Sequence, residues 1–199
     1  MKRRLVLQGL LATVPAAGAL TSLLAAPGQA QALGGTLPDL DQQAPDFALA
    51  GFVPPGTEGQ LSLSDFQGRW LALYFYPKDF TGGCTLEARG FQKDLAQFHQ
   101  LGAEVVGISA DSAESHASFC GSEGLAFPLL SDPGGLVSRS YGSWISPYSQ
   151  RHSFLIDPDG VLRERWVAVR PSGHSQEILA SLQSLIAAAP PLPSPSPSR

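Results

Sequence analysis

The run Trp70-Leu71-Ala72-Leu73-Tyr74-Phe75-Tyr76 carries no charge and no break in apolarity. A strand with one wet face alternates, whereas one that stays apolar throughout has both faces covered. This segment therefore belongs inside a sheet, with other elements packed above and below it. A second buried strand is expected from Glu104 to Ser109. Between the two the period changes to that of a helix. Phe91, Leu95 and Phe98 recur at spacings of four and three, which is one helix face, and the same rhythm counted back reaches Ala88, Glu87 and Cys84. A strand, a helix and a strand in this order call for parallel pairing with the helix crossing one face of the sheet.

The rest of the chain extends this core. Leu33 to Pro45 reads as an irregular lead-in. Phe47 to Leu49 and Leu61 to Leu63 read as short strands around a Pro/Gly turn region from Gly51 to Gly59, and Ser64 to Gly68 as one helical turn. Asp111, with Glu114 three residues later, has the form of a capping box for a helix reaching about Glu123. Leu129-Leu130 is a short strand and Leu136 to Tyr141 a short helix. Arg151 to Ile156 and Val161 to Val167 are strands around the turn Asp157-Pro158-Asp159-Gly160, and Ser175 to Ala189 is a closing amphipathic helix. The order predicts an α/β domain of thioredoxin-like fold, a central mixed sheet flanked by helices with an antiparallel hairpin at one edge.

The chain divides into three parts. Lys2-Arg3-Arg4, the apolar stretch Leu5 to Ala26 and the small-residue sequence Ala30-Gln31-Ala32 form an export signal over residues 1–32, cut after Ala30 or Ala32. Arg3-Arg4-Leu5-Val6-Leu7 fits a twin-arginine start as well as a general secretory one. The alternative is an uncleaved membrane anchor, and no later segment is apolar enough to span a bilayer. Residues 33–189 form one domain with a real core, and the Pro/Ser-rich residues 190–199 are expected to be disordered. Losing the signal removes three cationic side chains and no anionic one, which takes the net charge from −4 to −7. That balance argues against nucleic acid or an anionic membrane as partner. The expected location is the periplasm or a thylakoid lumen, where two cysteines meet oxidising conditions.

Cys84 stands where the helical period begins, after the loop Pro77-Lys78-Asp79-Phe80-Thr81-Gly82-Gly83. A helix start offers unpaired N–H groups and about half a positive charge, conditions that favour a nucleophilic thiolate. Thr81 can bring a hydroxyl beside the sulfur, and Pro77, which ends the strand, can wall one side of a pocket. The residues alone also allow a structural disulfide between Cys84 and Cys120, the only other cysteine. Closing so long a loop would stabilise the fold by about 4 kcal/mol. A Cys-x-x-Cys oxidoreductase would need a second cysteine close to Cys84, and none is there. His99, His116, His152 and His174 show no metal-ligand spacing. Trp144 and Tyr148 flank a Ser/Pro loop that either rims a pocket or is an ordinary surface loop.

Pro77-x-x-x-Thr81-x-x-Cys84 resembles the active-site signature of the peroxiredoxins. The segments Tyr74 to Thr81, Gly83-Cys84-Thr85, Gly107 to Asp111, Phe127 to Asp132 and Phe154 to Gly160 resemble more narrowly the PrxQ, or bacterioferritin comigratory protein, group. The resemblance runs in order from about Gln43 to Leu185. It implies a thiol-specific peroxidase acting on hydrogen peroxide and organic hydroperoxides, with Cys84 as the peroxidatic cysteine. It also implies that Arg151 points at that sulfur and that Glu87 orients the arginine. A guanidinium stays charged and donates well to a peroxide oxygen.

Many members of the group carry a resolving cysteine five residues after the first, where this chain has Arg89. Others are similar to this chain in placing it on the next helix, which makes Cys120 the resolving residue of an intramolecular disulfide. Disulfide Cα atoms lie within about 7 Å, so the helix start around Cys84 and the helix end around Cys120 are expected to unwind as the bond forms. The resemblance further implies a thioredoxin-like dithiol reductant, no metal, haem or flavin, and a monomer. The competing reading is a non-catalytic thioredoxin-like sensing or binding module with a permanent Cys84–Cys120 bond.

Overall fold

The computed structural model describes residues 30–188. The proposed signal up to residue 29 and the Pro/Ser tail lie outside the described residues. The elements in chain order are β1 (Gln31–Ala32), β2 (Gly35–Thr36), β3 (Ala48–Val53), β4 (Thr57–Ser62), a 3-10 turn (Leu63–Phe66), β5 (Trp70–Phe75), α1 (Gly82–Gln100) and β6 (Ala103–Ser109). There follow α2 (Ala113–Glu123), β7 (Leu129–Ser131), α3 (Leu136–Ser140), β8 (Trp144–Ile145), β9 (Tyr148–Ser149), β10 (Ser153–Ile156), β11 (Leu162–Trp166) and α4 (His174–Ala188).

Seven strands form one mixed sheet in the order β11-β10-β5-β6-β7-β3-β4. β5, β6 and β7 pair in parallel, and both edges are antiparallel. Leu71 to Phe75 are all buried, as two covered faces require. The strand period of two then sorts their side chains. Ala72, Tyr74 and Val105 face a cluster containing Cys84, Phe91 and Phe98 of α1, Phe119 and Cys120 of α2, and Ile178 and Leu182 of α4. Leu71, Leu73, Phe75, Val106 and Ile108 face the opposite cluster, with Val137 of α3 and Phe66 of the 3-10 turn. Both cysteine-bearing helices thus cover the same face of the sheet.

Four local expectations are corrected. β3 does not stop near Leu49 but runs on through Gly51 to Val53. A Cβ at Gly51 would lie 2.2 Å from the Leu129 carbonyl oxygen, so this glycine serves a close approach of β3 to β7 and not a turn. The cap of α2 is Ser112, whose hydroxyl accepts from Ser115 N–H at 3.2 Å, and not Asp111. Asp111 is occupied elsewhere, accepting Ser109 Oγ–H at 2.7 Å and the Asp79 N–H at 2.9 Å. Arg151 does not open β10, which begins at Ser153. Finally, the lead-in is not wholly irregular, because β1 pairs with β2.

Candidate active site

Thr81 is the last non-helical residue before α1, with φ −89° and ψ 145°. The first backbone bond of the helix is Thr85 N–H to the Thr81 carbonyl at 2.8 Å. Gly82, Gly83 and Cys84 therefore form the first turn, whose N–H groups have no partner within the helix. Cys84 is the third residue of α1 and is buried. It points inward with Glu87, Ala88 and Phe91, as the helical period requires. Burial keeps water from the sulfur, and the helix terminus faces it with positive potential.

Arg151 reaches this sulfur from the segment before β10. Its Nη2 lies 3.3 Å from Cys84 Sγ, and its Nη1 donates to Glu87 Oε2. One guanidinium thus bridges the thiol and a carboxylate one helical turn further on. Gly83 leaves room for it, since a Cβ there would stand 3.1 Å from Nη2. The Glu87 side chain is buried, and its second oxygen has no hydrogen-bond partner. Burial pushes the carboxyl up to about 7, against the pull of Arg151 in the other direction. Burial would lower the Arg151 pKa, but the charges of Glu87 and Cys84 and the hydrogen bonds to them raise it overall. The guanidinium is fully cationic.

The other two expected members of the site are less enclosed than the sulfur. Pro77 is half-buried just beyond β5. Thr81 is exposed, and its hydroxyl donates to the Lys78 carbonyl at 2.9 Å, not to the Cys84 sulfur. Between them Phe80 has φ 58°, the left-handed region that costs a non-glycine residue about 1–2 kcal/mol. Its ring packs edge-on against Phe119 of α2 with centroids 5.1 Å apart. The packing holds the loop in this unfavourable conformation.

Cys120 is buried on α2 in the same core cluster as Cys84, and both thiols are free. Burial and the nearby Asp79 carboxylate push its pKa up to about 12. In the folded state this thiol keeps its proton. The structure also shows residues for which no role was expected. Asp79, inside the Pro77–Thr81 loop, is buried and accepts Tyr76 OH at 2.8 Å and Ser115 Oγ–H at 2.7 Å. His116 Nδ1 lies 3.0 Å from Asp79 Oδ2. Arg89 donates to Glu123 at 2.6 Å, tying α1 to the last residue of α2. The available signal for this network was Asp79 within the signature and His116 one helical turn before Cys120.

Trp144 packs against Gly135 and beneath the Arg139 guanidinium, 5.2 Å from the ring centroid, so it serves the α3 neighbourhood. Among the described residues no group of three or more His, Cys, Asp or Glu side chains is arranged to hold a metal ion.

A family model described as the AhpC/TSA family matches residues 40–165. Peroxiredoxin Bcp of Xanthomonas campestris pv. campestris is 37% identical over 154 residues, covering 73% of this chain and 94% of that protein. The mitochondrial thioredoxin-dependent peroxide reductase of Drosophila melanogaster is 35% identical over 155 residues, covering 73% of this chain and 66% of that protein. Among solved structures, the Xanthomonas campestris bacterioferritin comigratory protein, studied for its alkyl peroxide reduction activity, superimposes with a TM-score of 0.64. It is 34% identical, over 70% of this chain and 91% of that one.

Proposed function

This chain belongs to the AhpC/TSA family, and from that membership and the geometry around Cys84 we infer a thiol peroxidase that reduces hydrogen peroxide and organic hydroperoxides. The Cys84 thiolate attacks the terminal peroxide oxygen. An S–O bond forms and the O–O bond breaks, and the leaving oxygen takes a proton to depart as water or an alcohol. The cysteine is left as a sulfenic acid. Arg151 meets the negative charge that builds on the two oxygens, and its donors are already in place before the reaction starts. Glu87 positions Arg151 by occupying its other arm. Thr81 turns its hydroxyl from the Lys78 carbonyl to a bound peroxide oxygen, and Pro77 keeps bulk water off that side. Cys120 then attacks the Cys84 sulfur. The S–O bond breaks, the disulfide forms, and the thiol proton leaves with the hydroxide as water. A thioredoxin-like dithiol reduces the disulfide by exchange.

The observation that carries this reading is the 3.3 Å approach of Arg151 Nη2 to a buried sulfur at the start of α1. The test is steady-state hydroperoxide consumption by the purified protein with a panel of dithiol donors. Cys84→Ser should abolish it, and thiol-dependent turnover surviving in that variant would sink the assignment.

The enzyme works beyond a membrane as a monomer, in the periplasm or a thylakoid lumen. Lys2-Arg3-Arg4 and the apolar stretch after it support export. Cleavage after Ala30 fits the domain better than cleavage after Ala32. The later cut would remove β1 and its pairing with β2, whereas the earlier one costs the bond from Leu37 N–H to the Ala30 carbonyl and the packing of Ala30 against the core. Amino-terminal sequencing of the protein from fractionated cells tests this, and an intact Met1 in the cytoplasmic fraction alone rejects it. Sedimentation of the same material tests the monomer.

A further inference from the structure

His116 is completely buried on α2, and both of its ring nitrogens face acceptors. Nε2 lies 3.2 Å from the Leu130 carbonyl oxygen, which can only accept, so this nitrogen carries a proton. Nδ1 lies 3.0 Å from Asp79 Oδ2 and 3.3 Å from the Tyr76 hydroxyl oxygen. The Tyr76 proton is already committed to Asp79 Oδ1 at 2.8 Å, so the phenol offers Nδ1 only a lone pair. Nδ1 and the Asp79 carboxyl therefore share a hydrogen bond. The two side chains form a buried, hydrogen-bonded pair, 0% and 1% exposed.

The pair joins two segments that the proposed cycle must separate. Asp79 sits in the loop five residues before Cys84, and His116 sits four residues before Cys120, one turn earlier on the same side of α2. Cys120 is within a continuous helix, and Cys84 is within the first turn of another. On the proposed cycle both turns loosen as the disulfide forms, because disulfide Cα atoms lie within about 7 Å. Three other contacts oppose that loosening. Ser115 Oγ–H donates to the same Asp79 oxygen, Phe80 packs on Phe119, and Arg89 pairs with Glu123. Exposed ion pairs such as the last contribute little. The Asp79–His116 pair differs because it is dry, and a buried polar group deprived of its partner is strongly penalised.

We propose that Asp79 and His116 form the latch of the resolving step, a positioning device that fastens the peroxidatic loop to the helix carrying Cys120 and limits how fast Cys120 reaches the Cys84 sulfenic acid. The inference rests on the reading of Cys120 as the resolving residue. Its sign follows from solvation. In the opened state both groups are hydrated whether or not they have each other. Replacing His116 therefore destabilises the closed state alone, where the Asp79 carboxylate stays buried, and opening becomes easier. His116 makes no hydrogen bond to Cys84, Thr81 or Arg151, so the peroxide step does not share the effect.

The experiment is single-turnover oxidation of the reduced protein with one equivalent of hydrogen peroxide. Sulfenic acid is quantified with a nucleophilic carbon-acid trap, and disulfide and sulfinic acid by mass. In His116→Gln the disulfide should form about tenfold faster, the sulfinic acid yield under excess peroxide should fall in proportion, and the second-order rate of sulfenic acid formation should change by less than about twofold. Ser115→Ala, which keeps His116, should move the same quantities in the same direction by less. Across the cycle of His116→Gln with Asp79→Asn, the effects on the resolving rate should be non-additive, because the two residues act as one pair.

An unchanged or slower disulfide step in His116→Gln overturns the latch, and so does strict additivity. Loss of the peroxide step together with the resolving step marks a general structural role and overturns it too. Cys120→Ser separates the two readings. If sulfenic acid decays equally in wild type and Cys120→Ser, Cys120 does not resolve, and the premise fails along with the latch. If it persists only in Cys120→Ser while His116→Gln resolves like wild type, the latch alone is wrong.

Discussion

Glu87→Gln isolates the energetic tension of the site. The Glu87 carboxylate is fully buried, holds Arg151 with one oxygen and leaves the other without a partner. Burial displaces its pKa from the ordinary 4.5 to about 7, with the Arg151 charge offsetting only part of the effect. In the unfolded chain the group titrates near 4.5. Between these values the native state binds more protons than the unfolded state, so stability falls as pH rises. The contribution is fully present below pH 4.5 and is lost as pH rises through about 7. A displacement of this size corresponds to roughly 3 kcal/mol. Glutamine keeps the shape and cannot ionise. Urea unfolding of wild type and Glu87→Gln under reducing conditions, at steps from about pH 4.5 to 8.5, measures the difference directly. Subtracting one protein from the other cancels groups common to both. The stability of the variant relative to wild type should climb by roughly 3 kcal/mol across that range. A flat difference would refute the reasoning, and so would a slope of opposite sign. A flat difference would mean that Arg151 compensates the buried carboxylate in full, and an opposite slope that it overcompensates.

Arg151→Lys keeps a charge but loses the planar fork that bridges Cys84 and Glu87. Stopped-flow oxidation of Cys84 should slow by about 10²–10³-fold, the scale of losing one preorganised donor, and a rate near wild type would show that charge alone suffices. Cys120→Ser should reduce one equivalent of peroxide and then stall, with a trappable sulfenic acid on Cys84, and continued cycling with a dithioldonor of the thioredoxin type would remove Cys120 from the cycle. Gly51→Ala should lower stability by about 1–3 kcal/mol, because the added Cβ would stand 2.2 Å from the Leu129 carbonyl oxygen and force β3 away from β7. Equal denaturation midpoints in urea would contradict the close approach.

Much of this molecule is local and was therefore legible in the residues. The unbroken apolarity of Trp70 to Tyr76 required a strand covered on both faces, and Leu71 to Phe75 are buried. The helical period read backwards from Phe91 put Cys84 and Glu87 on the inward side of one turn, where they lie. A side chain's period and its neighbours within a turn depend on backbone geometry alone, which the order of residues determines. The Gly51 and Asp111 expectations failed for the opposite reason. Each residue fits a local role, a turn or a cap, but is recruited by a segment far away in the chain, Leu129 in one case and Asp79 in the other.

The same division runs through the site. Cys84, its helix start and the loop before it follow from contiguous residues, because an N-terminal turn supplies its own donors and its own field. What surrounds the sulfur is decided by packing. The guanidinium of Arg151 comes from 67 residues away, and the pair Asp79–His116 spans 37. Cys120 shares a sheet face with Cys84 only because α1 and α2 cross on the same side. Charge pairing and burial depend on distances through space and on the exclusion of water. Both come into being when the sheet and helices close on each other, so only the tertiary structure could set them.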